Sequence, residues 1–292
     1  MPDYAAIAAK LSGQPDLYSA LLAAQGPLDL DKVLTACDPQ VAARLSSVDQ
    51  GLLRAILRAG AGQEAVEGAG RIIEHLKTAT PAPVFLPDIN AGPSISLPTG
   101  GQRPDMPAFS DRAFDAWFTA QGVPYGLGIY GENRTVYASD QFADRASHER
   151  RTVHLGVDVF APAGTPVHAP FDGKVRHLTY NADPLDYGHT LILEHDGAVP
   201  FYTLYGHLGG SLPTLLHVGD TVQQGQVIAH LGDWHENGGW APHLHFQIMT
   251  SMLDQSGGNF FGVGHASMWG VWSQICPDPN LILGIDPARF AV

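Results

Sequence analysis

Three short histidine clusters hold the side chains in this sequence best suited to bond chemistry: His154-Leu-Gly-Val-Asp158, Tyr205-Gly-His207 and His243-Leu-His245. Imidazole is the commonest protein metal ligand and titrates near neutral pH. In a strand, residues two apart share a face and lie ~6–7 Å from each other. His243 and His245 can therefore meet one centre. Either both ligate a metal, or one ligates it and the other faces its water. His154 and Asp158 pose a harder problem, because four residues of extended chain span ~13 Å, too far for two short ligands with ~2 Å bonds. That pair needs a bend or bulge, and Gly156 is the residue able to supply it. Each motif alone is weakly specific. Among 14 histidines chance matches arise, and His168-Ala-Pro-Phe-Asp172 has the same spacing as His154 and Asp158.

The elements that must position these residues read as strands. From about Val123 the chain shows short alternating runs punctuated by glycine, such as Lys174-Val-Arg-His-Leu, Thr190-Leu-Ile-Leu-Glu and Phe201-Tyr-Thr-Leu-Tyr. Asp172-Gly173 between two such runs is a hairpin signal. Residues 1–77 read as four to six short helices. Asp38 before Pro39 marks one helix start, and Ser47 with Gln50 has the spacing of a capping box. Seven prolines from Pro81 to Pro107 crowd residues 78–108, too densely for a helix or a central strand. Ser110 to Gln121 reads as a helix with Phe114, Trp117 and Phe118 on one face and Gly122 as its stop. The expected class is α+β in three parts. A small helical domain spans 1–77 and a proline-rich linker with a short helix spans 78–122. A mainly antiparallel β domain with an extended C-terminal tail spans 123–292.

Composition excludes several functions. The 292 residues carry a net charge of −13, with only 15% charged residues against roughly 25% in an average soluble protein. That balance argues against nucleic-acid binding and against a polybasic membrane anchor. No apolar run is long enough to span a bilayer. Cys37 and Cys276 are the two cysteines, too few for a disulfide framework. The N-terminus lacks the basic, apolar and small-residue order of a signal peptide, so a cytoplasmic location is expected unless a leader has been removed.

Context decides among the motifs. The stretch His154-Leu-Gly-Val-Asp158-Val-Phe-Ala-Pro-Ala-Gly-Thr-Pro-Val-His-Ala-Pro-Phe-Asp-Gly-Lys-Val175 resembles the first signature of the lysostaphin-type (LytM-like) zinc metallopeptidases. Tyr205-Gly-His207-Leu208 resembles their central histidine motif. Gly219-Asp-Thr-Val-Gln-Gln-Gly-Gln-Val-Ile228 followed by Pro242-His-Leu-His-Phe246 resembles their closing signature. The resemblance covers about residues 123–249. It implies the lysostaphin-type peptidase fold and a hydrolase in which His154, Asp158 and His245 ligate Zn2+. It also implies that His207 and His243 are the two catalytic histidines beside the metal's water. His168 and Asp172 fall on structural positions. The implied substrate is a peptide, usually the peptidoglycan cross-bridge or another short or glycine-rich segment.

Three features depart from the family pattern. The loop Gly232-Asp-Trp-His-Glu-Asn-Gly-Gly-Trp-Ala241 replaces a small-residue loop, Gln247 stands where an acidic residue is common, and the chain continues past Met249 with Phe260, Phe261, Trp269 and Trp272. These aromatics read as packing against the sheet, and His148 and His235 as surface residues. Two other functions compete. One is a binding or regulatory module that keeps the fold without turnover, although all five site positions are occupied. The other is a lipoyl-type carrier, which needs an exposed hairpin lysine that the sequence does not offer. The helical region offers a surface for a protein partner. The long proline-rich stretch allows a latent enzyme, with residues 78–108 over the groove and Asn90 at the open zinc position.

Overall fold

A computed structural model describes residues 2–134, 136, 142–197 and 199–291. Its N-terminal region is a run of short helices, and five of them begin on aspartate. α1 (Tyr4–Leu11), α2 (Leu17–Leu22), α3 (Leu30–Ala36), α4 (Pro39–Ser46) and α5 (Gln50–Gly60) are capped by Asp3, Asp16, Asp29, Asp38 and Asp49. Each carboxylate accepts from a first-turn N–H that the helix leaves open, a contribution of about 1 kcal/mol per cap. The expected capping box at Ser47 does not form. Asp49 takes the cap instead, accepting from Leu52 N at 2.8 Å, while the Ser47 hydroxyl turns back to Arg44 O. α6 (Ala69–Thr78) completes six short helices ahead of the proline-rich stretch among the described residues.

An eight-stranded sheet follows, drawn from residues 94–249. β1 is Ser94–Ser96, β2 Tyr125–Gly128, β3 Val153–His154, β4 Val157–Phe160, β5 Pro166–His168 and β6 Gly173–Asn181. β7 is Gly188–His195, β8 Phe201–Leu208, β9 Thr221–Val222, β10 Val227–His230, β11 His243–Met249 and β12 Val263–Gly264. The large sheet runs β1-β2-β4-β11-β8-β7-β6-β9, and β5 with β10 and β3 with β12 make two small ribbons. Every pair is antiparallel except β1 with β2. Asp172-Gly173 is not a hairpin turn, because β5 pairs with β10 while β6 pairs with β7 and β9. The chain there changes sheets, and Asp172 Oδ1 is spent accepting from Gln224 N at 2.7 Å.

Alternation along the strands builds the core and exposes the site. Leu244, Phe246 and Ile248 of β11, with Val157 and Val159 of β4, face one apolar cluster. That cluster also takes Ile72 and Leu76 of α6 and Ile282 of α10 (Asn280–Leu283). The intervening residues, Asp158, His243, His245 and Gln247, point to the opposite face. There α1–α5 share a second cluster with Leu204, Met249 and the tail, including Trp272 of α9 (Trp269–Ile275). A third cluster joins Leu97, Phe109, Phe160, Trp234 and Trp240 to Phe114 of α7 (Ala113–Ala120). The site face is thus covered at its two sides and left open between them. Arg44 of α4 ties the helices to the segment beside this opening, donating to the carbonyls of Gln14, Pro15 and Arg145 at 2.7–2.8 Å. The short α8 (Leu212–Leu215) follows β8. No helix among the described residues is long and apolar enough to cross a membrane.

Candidate metal centre and its histidines

The strand that carries His154 breaks after it. β3 ends at His154, β4 begins at Val157, and the bend falls at Leu155-Gly156 as the spacing requires. A Cβ at Gly156 would lie 2.6 Å from Cε1 of His245 and 2.8 Å from Phe246 O, so only glycine fits. The bend brings His154 Nε2 within 3.2 Å of Asp158 Oδ1 and 3.0 Å of His245 Nδ1. His245 Nδ1 is 3.2 Å from the same carboxylate oxygen, and the three residues form a potential metal group with every ligand atom within 4.8 Å of the others.

Hydrogen bonds fix which nitrogen faces the centre. His154 Nδ1 lies 2.9 Å from Ile129 O, which can only accept, so Nδ1 carries the proton and Nε2 presents a lone pair. Gln247 donates its amide N–H to Phe261 O and to Cys276 Sγ. Its Oε1 therefore faces His245 Nε2 at 2.9 Å, which puts that ring's proton on Nε2 and a lone pair on Nδ1. Three acceptor atoms meet with no proton between them, an arrangement that a cation reconciles. Their separations are also close to the ~3.3 Å edge of a tetrahedron with ~2.0–2.1 Å bonds. Two neutral imidazoles and a carboxylate suit a divalent ion with an open position.

His207 and His243 stand beside this group with ring centroids 4.2 Å apart. His243 Nδ1 donates to Ala241 O at 2.7 Å, and the ring stacks on Phe160. Its Nε2 lies 3.9 Å from Asp158 Oδ1. His207 Nδ1 donates to Asn237 O at 2.8 Å. In both rings the remaining Nε2 is a lone pair. His207 reaches this face through a bulge. Gly206 and His207 of β8 lie opposite the single residue Thr190 of β7, and His207 has φ 62°. Phe201 and Tyr205, of the same parity, point into the core. Without the extra residue His207 would follow them.

Burial sets the charges. It lowers the pKa of His154 to about 4, with Arg134 adding to it and Asp158 opposing. Burial also lowers His243 to about 4, and with His243 beside it holds His207 well below its ordinary value. All three rings are neutral at pH 7, the form that ligates or accepts a proton. Burial pushes the Asp158 carboxyl upward, but His154 and Arg134 outweigh it and hold it well below the usual carboxylate range. Since His154 is neutral at pH 7, Arg134 is the standing positive charge beside the carboxylate.

A family model described as peptidase family M23 matches residues 152–256. These residues are an M23 peptidase domain. A metalloprotease of Haemophilus influenzae is 34% identical over 137 residues, which cover 45% of this chain and 27% of that protein. A glycyl-glycine endopeptidase of Staphylococcus capitis is 35% identical over 138 residues, covering 46% of this chain and 29% of the relative. The chain thus spans less than a third of either curated relative. Among solved structures, the catalytic domain of the antimicrobial peptidase lysostaphin from Staphylococcus simulans is 28% identical, covering 41% of this chain and 80% of that one, with a TM-score of 0.29.

The M23 domain lines a cavity of about 370 Å³ with Asp158, His207, His243 and His245 on its floor. Residues outside the domain add to its wall, including Phe109 and Arg134. Tyr187 packs its ring 5.2 Å from His245 and 5.8 Å from His207, and its carbonyl accepts from His207 N. The sequence reading missed Tyr187, Arg134, Asn237 and the carbonyl of Ile129. None lies in a signature motif: pairing beside β3 and β4 brings Arg134 and Ile129 to the site, whereas Tyr187 comes from the loop before β7 and Asn237 from the 232–241 loop. Gln247 was noticed as a departure, and it serves as the acceptor that orients His245. The tail aromatics pack as expected: Trp272 and Phe260 are buried in the second cluster with Leu204 and Met249 of the sheet, and Phe261 and Trp269 pack against it; Phe260 and Phe261 also line the cavity. His148 and His235 are exposed, and His168 is buried in β5. Asn90 does not approach the ligands. It donates to Leu283 O at 3.2 Å and sits beside Arg289, because the proline-rich stretch leads into edge strand β1 rather than across the cavity.

Proposed function

We propose that this chain is a zinc-dependent endopeptidase that hydrolyses a peptide amide bond. The observation that carries this reading is the convergence of three lone-pair atoms of His154, Asp158 and His245 at 3.0–3.2 Å, with two further lone-pair nitrogens facing the same cavity. His154, Asp158 and His245 would hold the zinc. Bound there, a zinc ion supplies a Lewis acid that favours deprotonation of water and polarises a carbonyl. The remaining steps belong to the chain. His207 and His243 offer unprotonated Nε2 atoms, so one of them takes the proton of the attacking water. Two cationic rings 4.2 Å apart would repel, so the pair holds one proton at a time. That proton makes its ring a donor, first to the developing oxyanion and then to the leaving amine. Phe160 and the backbone carbonyls of Ala241 and Asn237 keep both rings in place.

The names of the relatives support a substrate class. Some are named for glycyl-glycine or peptidoglycan bonds, which supports a short or glycine-rich peptide such as a peptidoglycan cross-bridge. The test is bound zinc per chain together with cleavage of glycine-rich and wall-derived peptides. His245→Ala is expected to lose both. His207→Ala and His243→Ala are expected to keep the zinc and lose about 10²–10⁴-fold in rate. Full cleavage by the His243→Ala protein, or zinc binding indifferent to His245, would overturn the assignment.

A further inference from the structure

We propose that Arg134, outside the M23 match, is a positioning residue that fixes how Asp158 meets the metal; this rests on the ligand set proposed above. Arg134 is buried, and its Nη1 donates to Asp158 Oδ2, the oxygen turned away from the two histidines, at 2.7 Å. Its Nε donates to Glu132 Oε2 at 2.9 Å. Glu132 is in turn held by Thr99, whose backbone N–H donates to Oε1 at 2.6 Å. The chain of contacts runs from the proline-rich stretch to a ligand carboxylate.

The local fold builds this strut deliberately. Residues 131–134 run alongside 152–154, with Arg134 N donating to Thr152 O and His154 N to Glu132 O at 2.9 Å. Phe109 covers the guanidinium, 5.9 Å from the ring centroid. Gly128 of β2 leaves the room, since a Cβ there would lie 2.9 Å from both Arg134 Nη2 and Asp158 Oδ2.

A planar guanidinium can bond two carboxylates in fixed directions, which an ammonium cannot. Holding Oδ2 leaves Oδ1 alone to face His154 and His245, so Asp158 offers one oxygen rather than two. Glu132 balances the charge of Arg134, so the cation orients the ligand without repelling a divalent ion. Contacts of this outer kind are typically worth 10–100-fold in metal affinity.

The test compares zinc dissociation constants, by chelator competition on the full chain, for wild type, Arg134→Lys, Glu132→Gln and His245→Ala. Arg134→Lys keeps the charge and loses the fork. Glu132→Gln keeps an acceptor for Thr99 and removes the negative charge that Arg134 Nε bonds. Both are expected to weaken zinc binding by roughly 10–100-fold. Melting of the metal-free protein is followed alongside, and Glu132→Gln decides the matter if Arg134→Lys fails to fold. Unchanged zinc affinity with a lowered melting temperature would make the strut merely structural and overturn the inference. Wild type and His245→Ala binding zinc equally would instead reject the ligand set, and the inference with it.

Discussion

Gly156 occupies the one position in the ligand motif where no side chain can be added. Its missing Cβ is filled by His245 and by the backbone of Phe246. Gly156→Ala is therefore expected to destabilise the fold by about 1–3 kcal/mol through overpacking and to release the zinc proposed above, because the atom it displaces belongs to the ring of His245, a proposed ligand. Melting temperature and zinc content of the purified variant check both. His207 carries a different constraint. A non-glycine residue at positive φ stores strain of order 1–3 kcal/mol, and here the strain accompanies the bulge that turns its ring from the core to the cavity.

At the scale of elements, the edge strand β1 and the six N-terminal helices are structural parts of the molecule. Leu97, directly after β1, is fully buried, α1–α5 share one apolar cluster with the tail, and α6 shares another with Ile282 and Leu283. Deleting residues 1–108 is expected to lower solubility, melting temperature and zinc affinity, with no gain in activity. Higher peptide cleavage by the truncated chain would contradict this. Legibility in the sequence follows the same physics. The helix starts, the strand runs and the bend at Gly156 were readable because capping, alternation and ligand reach are local rules. Asp49 displaced Ser47 as a cap because its carboxylate reaches Leu52 N. The false hairpin at Asp172-Gly173 failed because pairing partners are chosen at long range. Arg134 and Ile129 left no local sign, since only the pairing of 131–134 with 152–154 and of β2 with β4 makes them neighbours of the site.

Across the whole molecule, buried neutral histidines link stability to pH. His154, His195, His207, His243 and His265 are all buried with pKa values lowered, burial being the leading cause in each. In the unfolded chain these rings take protons from about pH 6.5 downward. The folded chain refuses them until lower pH, about 4 for His154 and His243. The unfolded state thus binds more protons in this window, and stability rises with pH through it, by up to about 1.4 kcal/mol per pH unit for each ring. Metal-stripped protein is expected to show a urea midpoint that falls steadily from pH 7 to pH 4.5. A flat profile would mean that the rings are protonated in the fold.

The contact between α7 and the loop 232–241 has a consequence for protein engineering. Trp234 Nε1 donates to Asp115 Oδ2 at 2.8 Å, Arg112 lies over the same indole, and Ala241 N donates to Phe109 O. The long loop and the segment that covers it complete each other's packing. They form one cassette, although 119 positions separate Asp115 from Trp234. A chimera that imports a small-residue loop alone would leave Asp115 and Arg112 without Trp234, and one that trims α7 alone would uncover Trp234. Grafts that replace this loop have to exchange both pieces together.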